Sequence, residues 1–466
     1  MSDLSRIVKA YDVRGTVPDQ LDEETAEAIG AAFVQTLRES GTDVRRTVVA
    51  HDMRESSPAL ARAFISGATR AGADVVLAGL GSTDLLYYAA GALDVPGAMF
   101  TASHNPARYN GIKMCRGGAR PIGEETGLLA IRDRAQQILD GRAGIADGAP
   151  RTGTVEERDL LREYAAHLRT LVDLTGIRPL TVVVDAGNGM AGYTVPAVLG
   201  DAKLGPLPLK IIPLYFELDG TFPNHEANPL EPKNLVDLQK AVREHGADLG
   251  LAFDGDADRC FVVDERGEAV SPSTITALVA VRELDKYPGA TIIHNLIVSR
   301  AVPEIVCEHG GVPVRTRVGH SFIKAEMART GAVFGGEHSA HYYFQDFWNA
   351  DTGMLAAMHV LAALGGQDAN LSTLADRFHR YCQSGEINST VTDPKAKLAE
   401  VAAHYEGREG VTLDHLDGLT VDFPDRSWAN LRPSNTEPLL RLNVEAPTEQ
   451  RMAQLRDEVL AIVREG

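Results

Sequence analysis

Residues 247–263 read ADLGLAFDGDADRCFVV, and this stretch decides how the rest of the chain is interpreted. The apolar runs LGLAF and CFVV have the length and composition of buried strands. Between them stand Asp254, Asp256 and Asp258 at alternate positions, so three carboxylates can converge on one hard cation. Oxygen-only ligation selects Mg²⁺, Ca²⁺ or Mn²⁺ over zinc, and Mg²⁺ keeps coordination positions for phosphate oxygens. We therefore expect a metal loop between two strands, with phosphoryl chemistry close to it.

Two other interpretations of this loop are a solvated acidic turn and an EF-hand calcium loop. Strict alternation of the three carboxylates, closed by Arg259 and enclosed by apolar runs, argues against a solvated turn. Glu265 stands twelfth from Asp254, as an EF-hand requires, but Arg259 occupies the sixth position where that loop needs Gly. Both flanks also read as strands instead of helices, so the EF-hand interpretation fails.

Short β-branched runs alternate with amphipathic stretches on both sides of this loop, which favours α/β layers with largely parallel strands. The stretch 21–39 is helix-like, and the last hundred or so residues combine short strands with a closing helix at 448–464. The apolar runs are 45–52, 73–80, 180–189, 247–253, 290–299 and 332–338.

The predicted fold is therefore α/β, with three related mixed-sheet α/β domains and a smaller C-terminal α+β domain around a central cleft. A linker is expected at 141–154 and a turn at 265–267, because both stretches lack periodicity and are rich in turn residues. The expected domains are 1–145 with the serine loop, 155–266 with the metal loop, 267–370 with a sugar-binding loop, and 375–466 with a phosphate-binding loop.

Composition limits the possible partners of the chain. It has 466 residues, 44% hydrophobic and 24% charged, with a formal net charge of -18. Such a surface repels phosphate backbones, so nucleic acid is an unexpected partner. Four scattered cysteines form no CxxC pair, and the sequence holds neither a signal-peptide core nor an apolar run long enough to span a bilayer. We expect a cytoplasmic protein that does not bind membranes.

A second loop, FTASHNP at 100–106, places Ser103 after an apolar run and among turn-forming residues. A hydroxyl at such a loop tip can serve as a nucleophile, although an ST-turn or a helix cap explains the local sequence equally simply. The GxSxG elbow of serine hydrolases is absent. Asn110-Gly111 is typical of a tight turn, so we expect a hairpin that returns Lys113 towards Ser103.

The third loop, GGEHSAH at 335–341, offers a carboxylate, a hydroxyl and an imidazole at alternate positions. Glu337, Ser339 and His341 can face one side of an extended strand, where they suit the vicinal hydroxyls of a sugar. A polar strand end is the alternative.

The fourth loop, RPSNTEP at 432–438, has the composition of an anion-binding site, although a Pro-bounded surface loop explains the local sequence equally well. Arginine binds phosphate in bidentate fashion, and hydroxyl and amide groups add donors. Its candidate residues are Arg432, Ser434, Asn435, Thr436 and the following Arg441. Two weaker phosphate contacts are Arg14 in YDVRG and His320 in GHS.

Taken in chain order, the motifs YDVRG, TASHNPARYNGIK, DGDADR, GEHSAH and RPSNTEP resemble the α-D-phosphohexomutase family, most of all its bacterial phosphomannomutase/phosphoglucomutase branch. The resemblance implies a mutase that interconverts hexose 1-phosphate and hexose 6-phosphate of mannose and/or glucose. Phosphate on Ser103 and a hexose 1,6-bisphosphate intermediate, which is also the activator, would carry the reaction. It further implies a phosphosugar as the partner and a monomer or weak dimer.

The resemblance also assigns roles to residues. One Mg²⁺ would bind a Ser103 phosphate oxygen together with Asp254, Asp256 and Asp258. The catalytic groups would be Ser103, His104, Lys113, Arg14 and His341. The substrate-binding groups would be Arg259, His320, Glu337, Ser339, Arg432, Ser434, Asn435, Thr436 and Arg441.

Two departures from the family pattern bear on the sugar preference and on phosphate binding, respectively. Relatives with dual specificity commonly have Met and Gly where this chain has His338 and Ala340, and a lysine that some relatives use in the cleft is replaced near Ile297. Phosphoglucosamine mutase is the nearest alternative, followed by a metal-dependent sugar phosphatase. A non-catalytic phosphosugar-binding protein is disfavoured because the serine, lysine and metal loops are intact.

Overall fold

The computed structural model describes residues 3–8, 11–433 and 439–464. The strands of this part of the chain form four sheets. The first three sheets mix parallel and antiparallel pairs and alternate with helices, whereas the fourth is antiparallel. The predicted fold class, three α/β domains followed by a smaller α+β domain, is confirmed.

The first sheet has the strand order β1-β5-β4-β2-β3-β7, with β6 beside β5. Its strands are β1 (Val13–Thr16), β2 (Arg46–His51), β3 (Asp74–Leu80), β4 (Gly97–Phe100), β5 (Tyr109–Arg116), β6 (Arg120–Pro121) and β7 (Val155–Glu157). Its helices are α1 (Glu23–Glu39), α2 (Ser57–Arg70), α3 (Thr83–Ala92) and α4 (Leu128–Leu139), with 3₁₀ turns at Leu4–Arg6 and Glu124–Thr126.

Helices α1 and α2 cross in close contact because a glycine stands on each. A Cβ added at Gly30 would lie 2.1 Å from the Phe64 carbonyl oxygen, and one added at Gly67 would lie 1.9 Å from the Glu27 carbonyl oxygen. Asp22 begins α1 by accepting a hydrogen bond from the Thr25 backbone N–H.

The second sheet has the order β12-β11-β10-β8-β9. Its strands are β8 (Leu180–Asp185), β9 (Leu209–Leu214), β10 (Leu249–Phe253), β11 (Cys260–Asp264) and β12 (Ala269–Val270). Its helices are α5 (Leu161–Leu171), α6 (Ala191–Val198) and α7 (Val236–His245), with a 3₁₀ turn at Pro232–Leu235.

The third sheet has the order β14-β13-β15-β16-β17. Its strands are β13 (Thr291–Asn295), β14 (Val312–Thr316), β15 (Phe334–Gly336), β16 (Tyr342–Phe344) and β17 (Ala350–Asp351). Its helices are α8 (Pro272–Lys286), α9 (Ala301–Glu308), α10 (His320–Thr330), α11 (Gly353–Gly365) and α12 (Leu371–Asp376), with a 3₁₀ turn at Gln345–Phe347.

The fourth sheet has the order β18-β22-β21-β20-β19. Its strands are β18 (Cys382–Thr390), β19 (Thr412–Asp414), β20 (Leu419–Asp422), β21 (Trp428–Pro433) and β22 (Leu439–Ala446). Helices α13 (Pro394–Tyr405) and α14 (Glu449–Arg464) supply buried apolar residues to the core beneath this sheet.

One continuous apolar core extends across the first three sheets, helices α1, α2 and α4 enclose a second core on the first sheet, and the fourth sheet has its own core. A small separate cluster of Leu296, Ile297 and Trp428 connects the third and fourth sheets. The fourth domain is therefore attached to the other three by a much smaller apolar contact than they make among themselves. Among the residues described, no helix is both long enough and apolar enough to cross a membrane.

One local expectation from the sequence differs from the structure, whereas the expected linker at 141–154 and the expected turn at 265–267 contain no helix or strand, as predicted. Asn110-Gly111 lies inside β5 instead of forming a turn, because β5 pairs with both β1 and β4. The segment 141–154 leads into β7, which pairs with β3 and thus closes the edge of the first sheet. The turn at 265–267 joins β11 to β12 within the second sheet.

Candidate active site

Polar loops that follow β4, β10 and β15 meet at one place, as the sequence predicts for the carboxyl ends of neighbouring strands. The Ser103 hydroxyl donates a hydrogen bond to Asp254 Oδ2 at 2.8 Å, although the two residues are 151 positions apart. Ser103 is 5% exposed and has a φ of 49°, a left-handed conformation that is uncommon for serine. The loop conformation therefore aims the hydroxyl at the acidic loop.

The three aspartates of that loop form a buried cluster. Carboxylate oxygens of Asp254, Asp256 and Asp258 all lie within 4.8 Å of one another. Among the described residues, Oδ1 of Asp256 and Oδ1 of Asp258 are buried and have no hydrogen-bond partner. Because a buried anionic oxygen without a donor is costly, these two atoms point to a cation as their missing partner. The donor set, oxygen only, fits Mg²⁺.

Lys113 reaches this cluster from β5. Its Nζ lies 2.7 Å from Asp256 Oδ2 and 2.6 Å from Asp258 Oδ2. Burial disfavours the ammonium, but the two carboxylates outweigh it and raise the pKa of Lys113 well above its usual value. Lys113 thus joins the site as predicted, although its hydrogen bonds go to the aspartates. Thr83, which the sequence analysis missed, donates to Asp256 Oδ2 at 2.6 Å.

Arg259 and His104 connect the serine to the acidic loop. Arg259 donates to Asp254 Oδ2 through Nε at 2.9 Å and Nη2 at 2.8 Å. Its Nη2 also lies 2.6 Å from His104 Nδ1, which is 3.1 Å from Ser103 Oγ. Burial, together with the Arg259 charge, holds the pKa of His104 well below its usual value. The imidazole is therefore neutral, with Nδ1 accepting a hydrogen bond.

Arg14 reaches the serine loop from β1, which pairs with β5. Its Nη1 donates to Asn105 Oδ1 at 2.7 Å, and its Nη2 contacts Asp12 Oδ2 at 2.5 Å. The Nε of Arg14 is buried and has no hydrogen-bond partner within the part of the chain that the structure describes. Arg14 thus lies beside the loop that carries Ser103 and keeps one donor free.

The 337–341 loop is a tight connection between β15 and β16, so the expected extended strand is wrong. The Glu337 N–H donates to the His341 carbonyl at 3.0 Å, and Ala340 has a φ of 63°. Ser339 Oγ lies 2.9 Å from His341 Nδ1, and His341 Nε2 lies 3.7 Å from Asp258 Oδ1. Ser339 and His341 therefore form a pair beside the acidic cluster.

The Glu337 carboxylate is buried, and both of its oxygens accept hydrogen bonds from neighbouring residues. It accepts hydrogen bonds from Asn295 Nδ2 at 3.0 Å, from the Gly319 N–H at 3.3 Å and from the Tyr343 hydroxyl. Its position is fixed by β13, β16 and the start of α10. The alternation in the sequence did not predict this arrangement, in which the Glu337 side chain has other partners than Ser339 and His341, which pair with each other.

His320 begins α10, and its ring packs against Tyr11 of the first domain with ring centroids 4.7 Å apart. Burial, followed by the nearby Lys324 charge, holds the pKa of His320 well below its usual value. Lys324 is itself buried, pairs with Asp351 at 2.6 Å and lies 4.2 Å from the centre of the Tyr87 ring. The Lys324–Asp351 pair was missed by the sequence analysis, since nothing in the spacing of the two residues relates them.

Arg432 and Arg441 stand opposite each other on β21 and β22. Both approach the Glu386 carboxylate of β18, at 3.5 Å from Arg432 Nη2 and 3.4 Å from Arg441 Nη1. The two guanidinium groups therefore form a pair at one end of the fourth sheet. The other predicted members of this loop, Ser434, Asn435 and Thr436, lie outside the described residues.

The polar segment between β2 and α2, DMRES at 52–56, is a further part of the site. Arg54 is 1% exposed and donates hydrogen bonds to backbone carbonyls of the Ser103 loop. The available signal was the same one that marked the other loops, a charged run directly after a β-branched strand.

Four family models match the chain in sequence order. They are described as phosphoglucomutase/phosphomannomutase alpha/beta/alpha domain I at residues 5–141, domain II at 162–267, domain III at 271–381, and the C-terminal domain at 386–462. The four models thus match, in chain order, the three α/β domains that bring Ser103 to the acidic cluster and the C-terminal domain with the antiparallel sheet. The chain belongs to the phosphoglucomutase/phosphomannomutase family.

Relatives match over almost the whole chain. A protein of Xanthomonas campestris pv. campestris named "Phosphohexose mutases" is 40% identical over 460 residues, covering 98% of this chain and 99% of the relative. A phosphomannomutase of Salmonella typhimurium is 40% identical over 454 residues, covering 97% of both chains. A crystal structure of a phosphoglucomutase/phosphomannomutase family protein from Burkholderia thailandensis superposes with a TM-score of 0.87 at 33% identity, covering 100% of this chain and 99% of that one.

Proposed function

We propose that this chain is a phosphohexose mutase that interconverts hexose 1-phosphate and hexose 6-phosphate, of mannose and/or glucose, through phosphate carried on Ser103. The observation that carries the proposal is the 2.8 Å contact between the Ser103 hydroxyl and Asp254 within a buried cluster of three aspartates. Membership of the family and the phosphomannomutase relatives support the same reaction.

One Mg²⁺ would bind Asp254, Asp256 and Asp258 together with an oxygen of phosphorylated Ser103. When bound, it would neutralise charge on the phosphoryl group, which is where phosphoryl transfer needs stabilisation. Oδ1 of Asp256 and Oδ1 of Asp258, which accept no hydrogen bond from any described residue, support this assignment.

The protein's own cations would supply the remaining charge. Lys113 is held beside the cluster by two carboxylates, and Arg14 lies next to the serine loop with a free Nε donor. Both would contact the phosphate as it leaves or returns to Ser103. Neutral His104 would act through Arg259, because its Nδ1 accepts a hydrogen bond from Arg259 Nη2 and would hold that guanidinium beside the serine oxygen, 3.1 Å from Nδ1.

The reaction would proceed in two balanced transfers. The P–O bond to Ser103 breaks while a bond forms to the sugar hydroxyl at C6, whose proton passes to a base; His341, oriented by Ser339, is our candidate. The product is a hexose 1,6-bisphosphate. After the sugar turns round, its C1 phosphate returns to the Ser103 oxygen, and the oxygen left at C1 takes up the proton.

The sugar would be held at both ends during this sequence. Glu337, Ser339 and His320 would contact the sugar hydroxyls, and Arg259 would support them from the acidic loop. Arg432 and Arg441, with Ser434, Asn435 and Thr436, would bind the phosphate that is not reacting. The pairing of Arg432 with Arg441 beside one carboxylate supports this assignment, since two guanidinium groups at one place suit a dianion.

The proposal is tested by incubating the protein with Mg²⁺, trace glucose 1,6-bisphosphate and each hexose 1-phosphate in turn. Hexose 6-phosphate and free phosphate are both measured, with mannose, glucose and glucosamine substrates in parallel. We expect 6-phosphate from the mannose or glucose substrate and little free phosphate. Free phosphate in place of 6-phosphate would identify a phosphatase, and turnover of glucosamine 1-phosphate alone would identify a phosphoglucosamine mutase. Ser103→Ala should abolish turnover while keeping substrate binding, and near-normal activity would rule out the serine relay.

A further inference from the structure

All five N–H donors of the Arg54 guanidinium form hydrogen bonds within the protein. It stands between β2 and α2, and its Nη2 donates to the carbonyl oxygens of Ser103 at 2.8 Å and Asn105 at 2.7 Å. Its Nη1 donates to the carbonyl oxygens of Pro106 at 2.9 Å and Tyr109 at 3.0 Å. Four carbonyls of the segment that carries Ser103 thus point at one buried cation. Since arginine has five N–H donors, only Nε remains for another partner.

That fifth donor binds Asp52, which fixes the orientation of the guanidinium. Arg54 Nε lies 3.2 Å from Asp52 Oδ2, and both side chains are at most 1% exposed. Asp52 Oδ1 accepts from the Arg54 backbone N–H at 3.0 Å and from Ser57 Oγ at 2.6 Å. Asp52 itself is attached to the strand next to the serine loop, because its N–H donates to the Phe100 carbonyl at 2.9 Å.

The serine loop requires such a support. Its left-handed Ser103 is a conformation that costs on the order of 1 kcal/mol or more, and it persists only where the surroundings impose it. Carbonyls buried without donors would add a further cost. Arg54 supplies donors to these carbonyls in the loop conformation in which Ser103 Oγ faces Asp254.

The second domain covers Arg54 from the other side. The Phe222 ring centre lies 5.2 Å from the guanidinium carbon. A Cβ added at Gly220 would lie 2.7 Å from the Arg54 Cα, so only glycine allows this approach. Because Arg54 has neither a free donor nor exposed surface, it does not contact substrate.

We infer that Arg54, oriented by Asp52, is a positioning residue that holds the Ser103 loop in the conformation required for phosphoryl transfer. This inference deepens the proposed function and rests on it. It predicts that altering Arg54 slows transfer between Ser103 and the sugar, while the sugar still binds.

The test compares Arg54→Lys with wild type and with Arg38→Lys. Arg38 is the matched control, since it also donates to backbone carbonyls of the first domain, at Ala71 and Gly148, away from the site. For each protein, one measures the melting temperature, calorimetric binding of hexose 1-phosphate, and single-turnover transfer of phosphate from Ser103. Lysine has three donors and cannot reproduce the fork, so we expect transfer to fall about 100-fold, the effect of misplacing a reacting group by about 1 Å. Binding should change less than about threefold, and Arg38→Lys should change neither.

Two further variants separate positioning from folding. In Arg54→Ala, added guanidinium ion should restore transfer several-fold, whereas ammonium ion should not, because only the former has the planar set of donors. Asp52→Asn, which keeps the arginine but loosens its orientation, should slow transfer with binding intact.

Each outcome decides the inference. The inference is overturned if Arg54→Lys transfers phosphate at a rate within about threefold of the wild-type rate. It is also overturned if the variants lose activity in proportion to their fall in melting temperature and guanidinium does not restore transfer. If Arg54→Lys does not fold, the Asp52→Asn result decides by the same criterion. If wild type itself transfers no phosphate from Ser103, the proposed function fails instead, and that result is visible in the same experiment.

Discussion

Replacing Lys113 by methionine removes the one ammonium that contacts the acidic cluster in the described part of the chain. Its Nζ lies 2.7 Å from Asp256 and 2.6 Å from Asp258, whose side chains are 0% and 2% exposed. Breaking a buried ion pair by removing one partner costs about 3–5 kcal/mol, because a charge is left buried and uncompensated. At about 2 °C per kcal/mol for a unit of this size, the melting temperature should fall by roughly 6–10 °C.

Thermal unfolding in EDTA and in saturating Mg²⁺ measures this effect. Since the two carboxylates lose their internal cation, they should gain more from an added one, so Mg²⁺ should raise the melting temperature of Lys113→Met by more than that of wild type. Lys203→Met is the control, because Lys203 makes an exposed pair with Asp159 and should shift melting by about 1 °C or less. The reasoning would be refuted if Lys113→Met had the same melting temperature as wild type in EDTA, or if Mg²⁺ raised its melting temperature by no more than that of wild type.

Three other outcomes are expected. Burial raises the pKa of Asp84 to about 6, so the stability that its neutral form contributes is complete below pH 3.8 and is lost as the pH rises through about 6. Between pH 4 and 7, wild type should therefore lose up to about 3 kcal/mol of unfolding free energy in urea titrations relative to Asp84→Asn, and parallel pH profiles would contradict this. Gly111→Ala should cost at least about 10-fold in turnover, because its Cβ would lie 2.3 Å from the Val13 carbonyl oxygen and would push β1 away from β5; wild-type kinetics would disprove it. Glu337→Gln should raise KM about 10-fold or more, since an amide cannot accept all the hydrogen bonds that fix this carboxylate. Tyr343→Phe, which removes one of these hydrogen bonds, should raise KM less, and equal KM values for the two variants would contradict this ordering.

The acidic loop was predictable from the sequence because its geometry is local. Asp254, Asp256 and Asp258 are close neighbours in a loop between two apolar strands, so their oxygens converge without help from distant residues. The approach of Ser103 to this loop followed from a general rule, that polar loops at the carboxyl ends of neighbouring strands face one cleft.

Other features depended on contacts that the local sequence does not encode. Asn110-Gly111 has the local signature of a turn, but pairing of β5 with two neighbours overrides it. Glu337 and Ser339 alternate as they would on a strand, yet they lie in a tight loop between β15 and β16. Arg54 was missed because its partners are backbone carbonyls 49 to 55 positions away. Every residue has such a carbonyl, so the residue types in the sequence do not indicate the contact.

The most direct test of the serine relay follows one phosphate. Enzyme labelled on Ser103 with radioactive phosphate from hexose 1,6-bisphosphate is mixed with Mg²⁺ and unlabelled hexose 1-phosphate, and the reaction is stopped within a single turnover. The account predicts that label leaves the Ser103 peptide and appears in hexose bisphosphate and then in hexose 6-phosphate. Label that stays on the protein while hexose 6-phosphate forms, or that appears as free phosphate, would contradict it.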